Sequence, residues 1–207
     1  MRPLVVQAPI DPAPIDGVRD AFVELGLATP ATRYRNLFDE LRARPELVRD
    51  AELHPVADVG TNARPHDPRS TLVTDGSGAP LLRLPFVEAV DWHRSTADVL
   101  VHAPDGSVLG ALRGFGALYR RWVDAVAAEA RAAGARDVVV ISEARSLGEL
   151  LGPHPRDYAL VHTVHNAHTE PPHAWDSPMD TLWSGWFDAV PGFDAVLWPT
   201  RAQRADA

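Results

Sequence analysis

The sequence predicts an α/β fold, a parallel sheet carrying an inserted antiparallel β lobe, and two patterns predict it. From Asp137 onward, short apolar runs alternate with helical stretches over short connections, the grammar of a Rossmann-like parallel sheet. Between Ser70 and Leu112 the pattern changes to β-prone runs around two Asp-Gly dipeptides, Asp75-Gly76 and Asp105-Gly106, a strong short-range hairpin signal. The expected organisation is a Rossmann-like domain over residues 1–57 and 115–207, with residues 58–114 as the β-hairpin lobe.

Leu4 to Gln7 (LVVQ) reads as a buried strand closed by a proline-rich turn. Ile15 to Gly26 reads as a helix, with Asp16 as its cap, Val18, Phe22 and Leu25 on one face and Gly26 at its end. Arg35 to Asp50 is expected to be helical up to Pro45, which kinks or stops it. The polar stretch Asp58 to Arg69, with prolines at 65 and 68, is the expected linker into the lobe. Phe115 to Ala133 places Leu118, Trp122, Ala125, Val126 and Ala130 on one stripe and ends at Gly134, an amphipathic helix. Asp137 to Ser142 (DVVVIS) has the near-continuous apolar run of a parallel strand covered on both faces. Leu147 to Leu151 is a short helix, Tyr158 to Val164 the next strand, and Phe193 to Pro199 another. Ser177-Pro178-Met179-Asp180 has the composition of a helix start, and Thr200 that of a cap.

Composition narrows the function classes. The chain has 207 residues and a formal charge of −8, and every one of its 20 basic residues is arginine, scattered among acids. Such a chain lacks the basic patch that grips a phosphate backbone, so no nucleic-acid partner is expected. It has no cysteine, which excludes disulfides, thiolate nucleophiles and cysteine-held zinc and fits a reducing interior. Met1 to Pro14 is broken by prolines at 3, 9, 12 and 14, unlike a signal peptide or a membrane span. A cytoplasmic protein with no membrane span is expected.

Ligands of an open parallel sheet collect outside the carboxyl ends of its strands. That rule selects Ser142-Glu143, the segment His162 to His168 (HTVHNAH) and Thr200. Three histidines at 162, 165 and 168 raise the question of metal. On a strand, however, 162 and 165 point to opposite faces, and the glutamate of a zinc-protease helix is missing; no metal is expected. His162, inside the apolar run, reads as a hydrogen-bonded core histidine. His165 and Asn166 suit a sugar, since imidazole and amide groups both donate and accept hydrogen bonds. Glu143 either orients a hydroxyl or His165, or is a solvated cap; His168 and His173 are equally readable as ordinary loop residues. Trp183 and Trp186, three apart on one helix, read as core. No Ser-His-Asp signature, phosphate-cradling glycine loop or nucleotide fingerprint is present.

HTVHNAH, a tryptophan-rich helix and then FDAVLWPTRAQRADA together resemble the last third of the amino-terminal domain of family 4 retaining glycosyltransferases of GT-B type. The two Asp-Gly hairpins ahead of the helix at Phe115, and the segment from Ile15 through ELGL to RNLFDEL, are similar to one bacterial-type branch. That branch holds the poly(glycerol-phosphate), poly(ribitol-phosphate) and accessory-secretion glycosyltransferases. The resemblance implies a catalytic-site role for His165, the histidine of the T-x-H pattern. It implies substrate contacts for Asn166 and His168 beside it and for Thr200, the strand-end hydroxyl. Glu143 stands one residue beyond the branch's strand-end acid, Ser142 intervening.

The resemblance also implies a nucleotide-diphosphate sugar donor and a sugar, polyol-phosphate or protein hydroxyl as acceptor. The family's carboxy-terminal domain binds the donor and carries two glutamates eight apart; no glutamate pair here has that spacing. The glycine-rich loop after the family's first strand is missing too. The expectation is thus a truncated acceptor-side half, inactive without its partner domain and binding no cofactor alone. The β lobe is expected to serve either acceptor capture or self-association through its hairpin edges, a homo-oligomer in the second case. A non-catalytic binding or chaperone-like module on the same fold is the alternative.

Overall fold

The computed structural model describes residues 4–7, 16–26, 28–30, 32–56, 68–88, 92–174 and 176–205. The chain divides into two compact units, Met1–Val87 with Ala97–Arg113 and Glu88–Thr96 with Gly114–Ala207. Residues 58–67 of the expected linker lie outside the described residues.

In the first unit, β1 (Leu4–Gln7) pairs in parallel with β2 (Arg33–Asn36), Leu4 opposite Arg33 and Gln7 opposite Asn36. The helix between them, α1, spans Asp16–Glu24. The sequence reading placed Arg35 at the start of a helix; instead RYRN is a strand, and the helix α2 (Leu37–Ala43) begins only after it. The reason lies in Asn36. Its side-chain oxygen accepts hydrogen bonds from the Phe38 and Asp39 amides at 2.8 and 3.2 Å, satisfying donors that a helix start leaves open. Pro45 separates α2 from the one-turn α3 (Glu46–Arg49), as expected of its ring.

The Asp-Gly signals are met. β3 (Thr71–Thr74), β4 (Pro80–Leu84), β5 (Asp98–His102) and β6 (Val108–Arg113) form one antiparallel sheet in sequential order. Both turns use the same device. Asp75 accepts from the amide and hydroxyl of Ser77 at 2.9 and 2.6 Å, and Asp105 does so from Ser107 at the same distances. Leu81, Leu82, Val99, Val101 and Ala111 are fully buried in this unit, each large one worth about 2 kcal/mol of transfer energy. Arg49 ties α3 to the sheet through the Asp75 carboxylate at 2.9 Å and the Pro80 and His102 carbonyls at 3.0 Å each.

In the second unit, after the segment Glu88–Thr96, comes α4 (Gly114–Ala132), whose buried face is Phe115, Leu118, Tyr119, Trp122 and Ala127. Ala125, Val126 and Ala130, expected on the same stripe, are only half-buried. Gly134, at φ 94°, ends the helix. Then follow β7 (Val139–Ser142), α5 (Arg145–Leu151), β8 (Ala159–Thr163), α6 (Ser184–Ala189), β9 (Ala195–Leu197) and α7 (Arg201–Ala205). The three strands are parallel in the order β7-β8-β9. One face of the sheet carries Ser142, Leu160 and His162, all buried. The other is open: Val139 is 50%, Ile141 60% and Leu197 49% exposed, so β7 is not covered on both faces as its composition suggested.

The start of the helical segment before β9 also differs from expectation. Ser177 caps no helix; its hydroxyl accepts from the Ala174 amide and closes a turn. Asp180 takes the cap, accepting from the Leu182 amide at 2.8 Å ahead of a 3₁₀ turn at Thr181–Trp183.

Candidate functional site

Parallel register decides which side chains meet. Ser142 lies opposite His162, and His162 opposite Val196, so β7, β8 and β9 end at one edge of the sheet. Val164 prolongs the ladder by one hydrogen bond to the Leu197 carbonyl at 3.0 Å. Immediately beyond stand Glu143, then His165 and Asn166, and beyond β9 Thr200; all four are exposed. The structure brings one pair of these together directly, His165 Nε2 and Glu143 Oε1 at 3.6 Å. The strand stops at Thr163, so the two-face argument applied to His162 and His165 does not hold: His165 belongs to the loop.

The loop from His165 to Asp180 is folded on itself rather than splayed. Thr169 bridges Met179, the Glu170 amide donates to the Pro178 carbonyl at 2.8 Å, and the Asp180 amide donates to the His168 carbonyl at 2.9 Å. His173, in the left-handed region at φ 61°, donates its Nδ1 proton to the Thr169 carbonyl at 2.6 Å. His168 is drawn inward, 7% exposed, with Trp183, Phe187 and Trp198 set edge-on at 6.5, 5.6 and 6.0 Å. Trp183 and Trp186 are buried beneath it with Val164. The aromatic core thus anchors the loop that presents His165 and Asn166 to solvent.

His162 is the floor of this arrangement. It is fully buried, stacked on Phe193 at 5.4 Å with planes 16° apart, and 5.2 Å from Trp186. Gly148 of α5 makes the room: a Cβ there would lie 2.7 Å from His162 Nδ1. Neither ring nitrogen hydrogen-bonds to any described residue, which corrects the expectation of a hydrogen-bonded core histidine. Burial pushes its pKa down to about 4, and a charge on His165 pushes the same way.

Glu149 was not singled out from the sequence, although the Arg145–Glu149 spacing of one helical turn was the available signal. Its buried carboxylate receives Arg145 at 2.5 Å and Arg94 at 2.9 Å, while Arg145 also reaches the Leu182 carbonyl. The site edge is thereby braced from α5 to the turn before α6. Among the described residues no three of His, Asp and Glu gather as a metal ion would require. No helix of the described residues is long and apolar enough to cross a membrane.

No protein-family model and no curated protein sequence matches the chain. Solved structures do. A crystal structure of TarM, a glycosyltransferase of GT-B type, superposes with a TM-score of 0.54 at 11% identity, over 98% of this chain and 51% of that one. A second TarM structure is a point mutant from S. aureus in complex with fondaparinux, alpha-GlcNAc-glycerol and UDP. It superposes with a TM-score of 0.55 at 10% identity over the same shares. The chain spans about half the length of these structures, and its mixed parallel and antiparallel sheets have a GT-B-like glycosyltransferase fold.

Proposed function

We propose that this chain is the acceptor-side half of a retaining, nucleotide-sugar-dependent hexosyltransferase of the family 4 type, working in the cytoplasm with a second, donor-binding domain. The observation that carries the reading is the exposed pair His165 and Glu143, with Asn166 beside it, at the strand-carboxyl edge of a GT-B-like fold, where such sheets meet their ligands. In the reaction, an acceptor hydroxyl attacks the anomeric carbon. The bond from that carbon to the diphosphate oxygen breaks, the diphosphate leaves with the electron pair, and the hydroxyl proton passes to the departing diphosphate oxygen. His165, oriented by Glu143, hydrogen-bonds the sugar at the reacting centre; Asn166 and Thr200 hold neighbouring hydroxyls, and buried His168 fixes the loop. The UDP in the TarM complex supports a UDP-hexose as donor. Its acceptor is a sugar, a polyol phosphate or a protein hydroxyl.

Such catalysis consists largely of positioning and of stabilising charge on the departing diphosphate. The second task falls to the donor-binding domain, so these residues alone are expected not to turn over. The test is UDP release from a UDP-hexose in the presence of glycan and polyol-phosphate acceptors. It is measured on this chain alone and on one polypeptide joining it to a donor-binding domain. Turnover only in the joined protein, with the donor's anomeric configuration kept in the product, supports the reading. Full activity of the chain alone, or inversion in the product, overturns it.

A further inference from the structure

The chain from Leu84 to Asp98, which joins β4 to β5, is far longer than the roughly 2–5 residues a hairpin needs. Instead of turning back at once, it contributes Glu88–Thr96 to the second unit. There Trp92–Arg94 forms a 3₁₀ turn, seated by His93 against the Tyr119 ring of α4 with centroids 5.5 Å apart. The turn delivers Arg94. Its Nε stands 2.9 Å from Glu149 Oε2 of α5. Its guanidinium packs on the first turn of α6, where a Cβ on Gly185 would lie 2.6 Å from Nη2, 3.0 Å from Cζ and 3.1 Å from Nη1. Gly185 does not have a positive φ, so it is room for the guanidinium, not backbone conformation, that calls for glycine. Because α5 begins just after β7 ends and α6 leads into β9, their first turns stand at the carboxyl end of the sheet. That is the end that carries Glu143 and His165.

Glu149 is shared. Arg145 holds its other oxygen at 2.5 Å and also reaches the Leu182 carbonyl. Two guanidinium groups meet one carboxylate, so one positive charge is left over. It falls on the more accessible partner, since Arg94 is 44% exposed and Arg145 only 19%. The chain's net charge of −8 does not cancel it, because charges beyond about 10 Å are screened at about 0.1 M salt. With Nε turned to Glu149, Nη1 and Nη2 remain as donors that no described residue accepts from. Two N–H groups on one edge of a guanidinium match two oxygens of an oxyanion.

We propose that Arg94 is a phosphate contact at the carboxyl end of the parallel sheet, Nη1 and Nη2 donating to a phosphate of the acceptor or of the sugar donor. The choice of phosphate over carboxylate rests on the transferase reading, whose reactants carry phosphate. The experiment needs no turnover, so it stands or falls apart from that reading. It is NMR titration of the 207-residue chain, following backbone amides and the Arg94 Nε–H, with glycerol 1-phosphate, UDP, acetate and glycerol at constant ionic strength. Saturable shifts at residues 92–94, 145–149 and 184–186 are expected with glycerol 1-phosphate or UDP. The tighter of the two identifies acceptor or donor as the source. Arg94→Gln should weaken this binding by about 10-fold or more, with Glu149 still paired to Arg145. Arg94→Lys, which keeps the charge but not the fork, should fall between Arg94→Gln and the parent. Gly185→Ala leaves Arg94 in the sequence but pushes its guanidinium aside, and should weaken binding with no loss of melting temperature. Shifts that never saturate, parent-like binding in Arg94→Gln, or acetate or glycerol binding as tightly as the phosphates would overturn the proposal.

Discussion

His165 Nε2 stands 3.6 Å from Glu143 Oε1, although the two residues leave different strands. Parallel register sets Ser142 opposite His162, so Glu143 leaves β7 level with Thr163, two residues before His165. Both side chains are about half-exposed or more, so the pair contributes little to stability. In the proposed reaction its part would be to direct the imidazole. In the joined enzyme His165→Ala is expected to lower kcat/KM by about 100-fold or more, and Glu143→Gln by about 10-fold, while His173→Ala leaves it unchanged. Equal losses for His165→Ala and His173→Ala would remove His165 from the site.

His162 makes the second unit acid-sensitive. Its folded pKa of about 4 lies below the 6.5 of an unfolded histidine, so between those values the unfolded chain binds the proton more readily. The stability contributed by neutral His162 is therefore complete above pH 6.5 and is lost as the pH falls towards 4, by at most about 3 kcal/mol. Urea unfolding at a series of pH values should show that slope, and His162→Phe should flatten it. Asp75 does not confuse the measurement. The Ser77 hydroxyl, helped by Arg49 and two backbone amides, lowers its pKa to about 2, so its contribution is lost only below pH 4. A slope unchanged in His162→Phe would assign the acid sensitivity elsewhere.

The features legible in the sequence are those with a local cause. The two Asp-Gly-Ser turns close on their own side chains, Gly134 ends α4 where a left-handed residue is needed, and DVVVIS extends by β propensity. The strand-end rule also places Glu143 and His165 at the carboxyl edge of the sheet, where both are exposed. What was not legible is set by distant partners. RYRN carries no apolar run and is a strand because its backbone pairs with β1. Ser177 and Asp180 have equal capping chemistry, and the Thr169–Met179 bridge decides between them by holding the chain extended up to Asp180. A sequence shows that His162 carries polar atoms but not that its ring lies against Trp186 and Phe193.

Glu149 is held between Arg94 at 2.9 Å and Arg145 at 2.5 Å, with its side chain 5% exposed. Removing the carboxylate leaves two guanidinium groups facing each other across a buried position, the costly way to break an ion pair. Glu149→Gln should destabilise the second unit by about 3 kcal/mol. It should also increase hydrogen exchange at Leu182 and Trp183, since Arg145 reaches the Leu182 carbonyl. Glu143→Gln, in the exposed connection between β7 and α5, is the control and should stay within about 0.5 kcal/mol of the parent. Equal stability of the two variants would show that the arginines do not converge on Glu149.

Gly114 and Gly134 bound α4, and together they separate two reasons for glycine. Both lie at positive φ, 71° and 94°, a region that costs an L residue about 1–2 kcal/mol. At Gly134 a Cβ would meet nothing within 4 Å, so Gly134→Ala should cost only that conformational term. At Gly114 a Cβ would fall 2.0 Å from the Ser95 carbonyl oxygen and 3.1 Å from Thr96 Cα, both backbone atoms that no side-chain rotation can move aside. Gly114→Ala must therefore displace the segment at Ser95 or the start of α4, and is expected to cost roughly 3 kcal/mol or more. Urea midpoints of the two alanine variants, measured side by side, isolate the contact as their difference. If the two variants unfold at the same midpoint, Ser95 does not pack against the start of α4, and the chain there must run a different course.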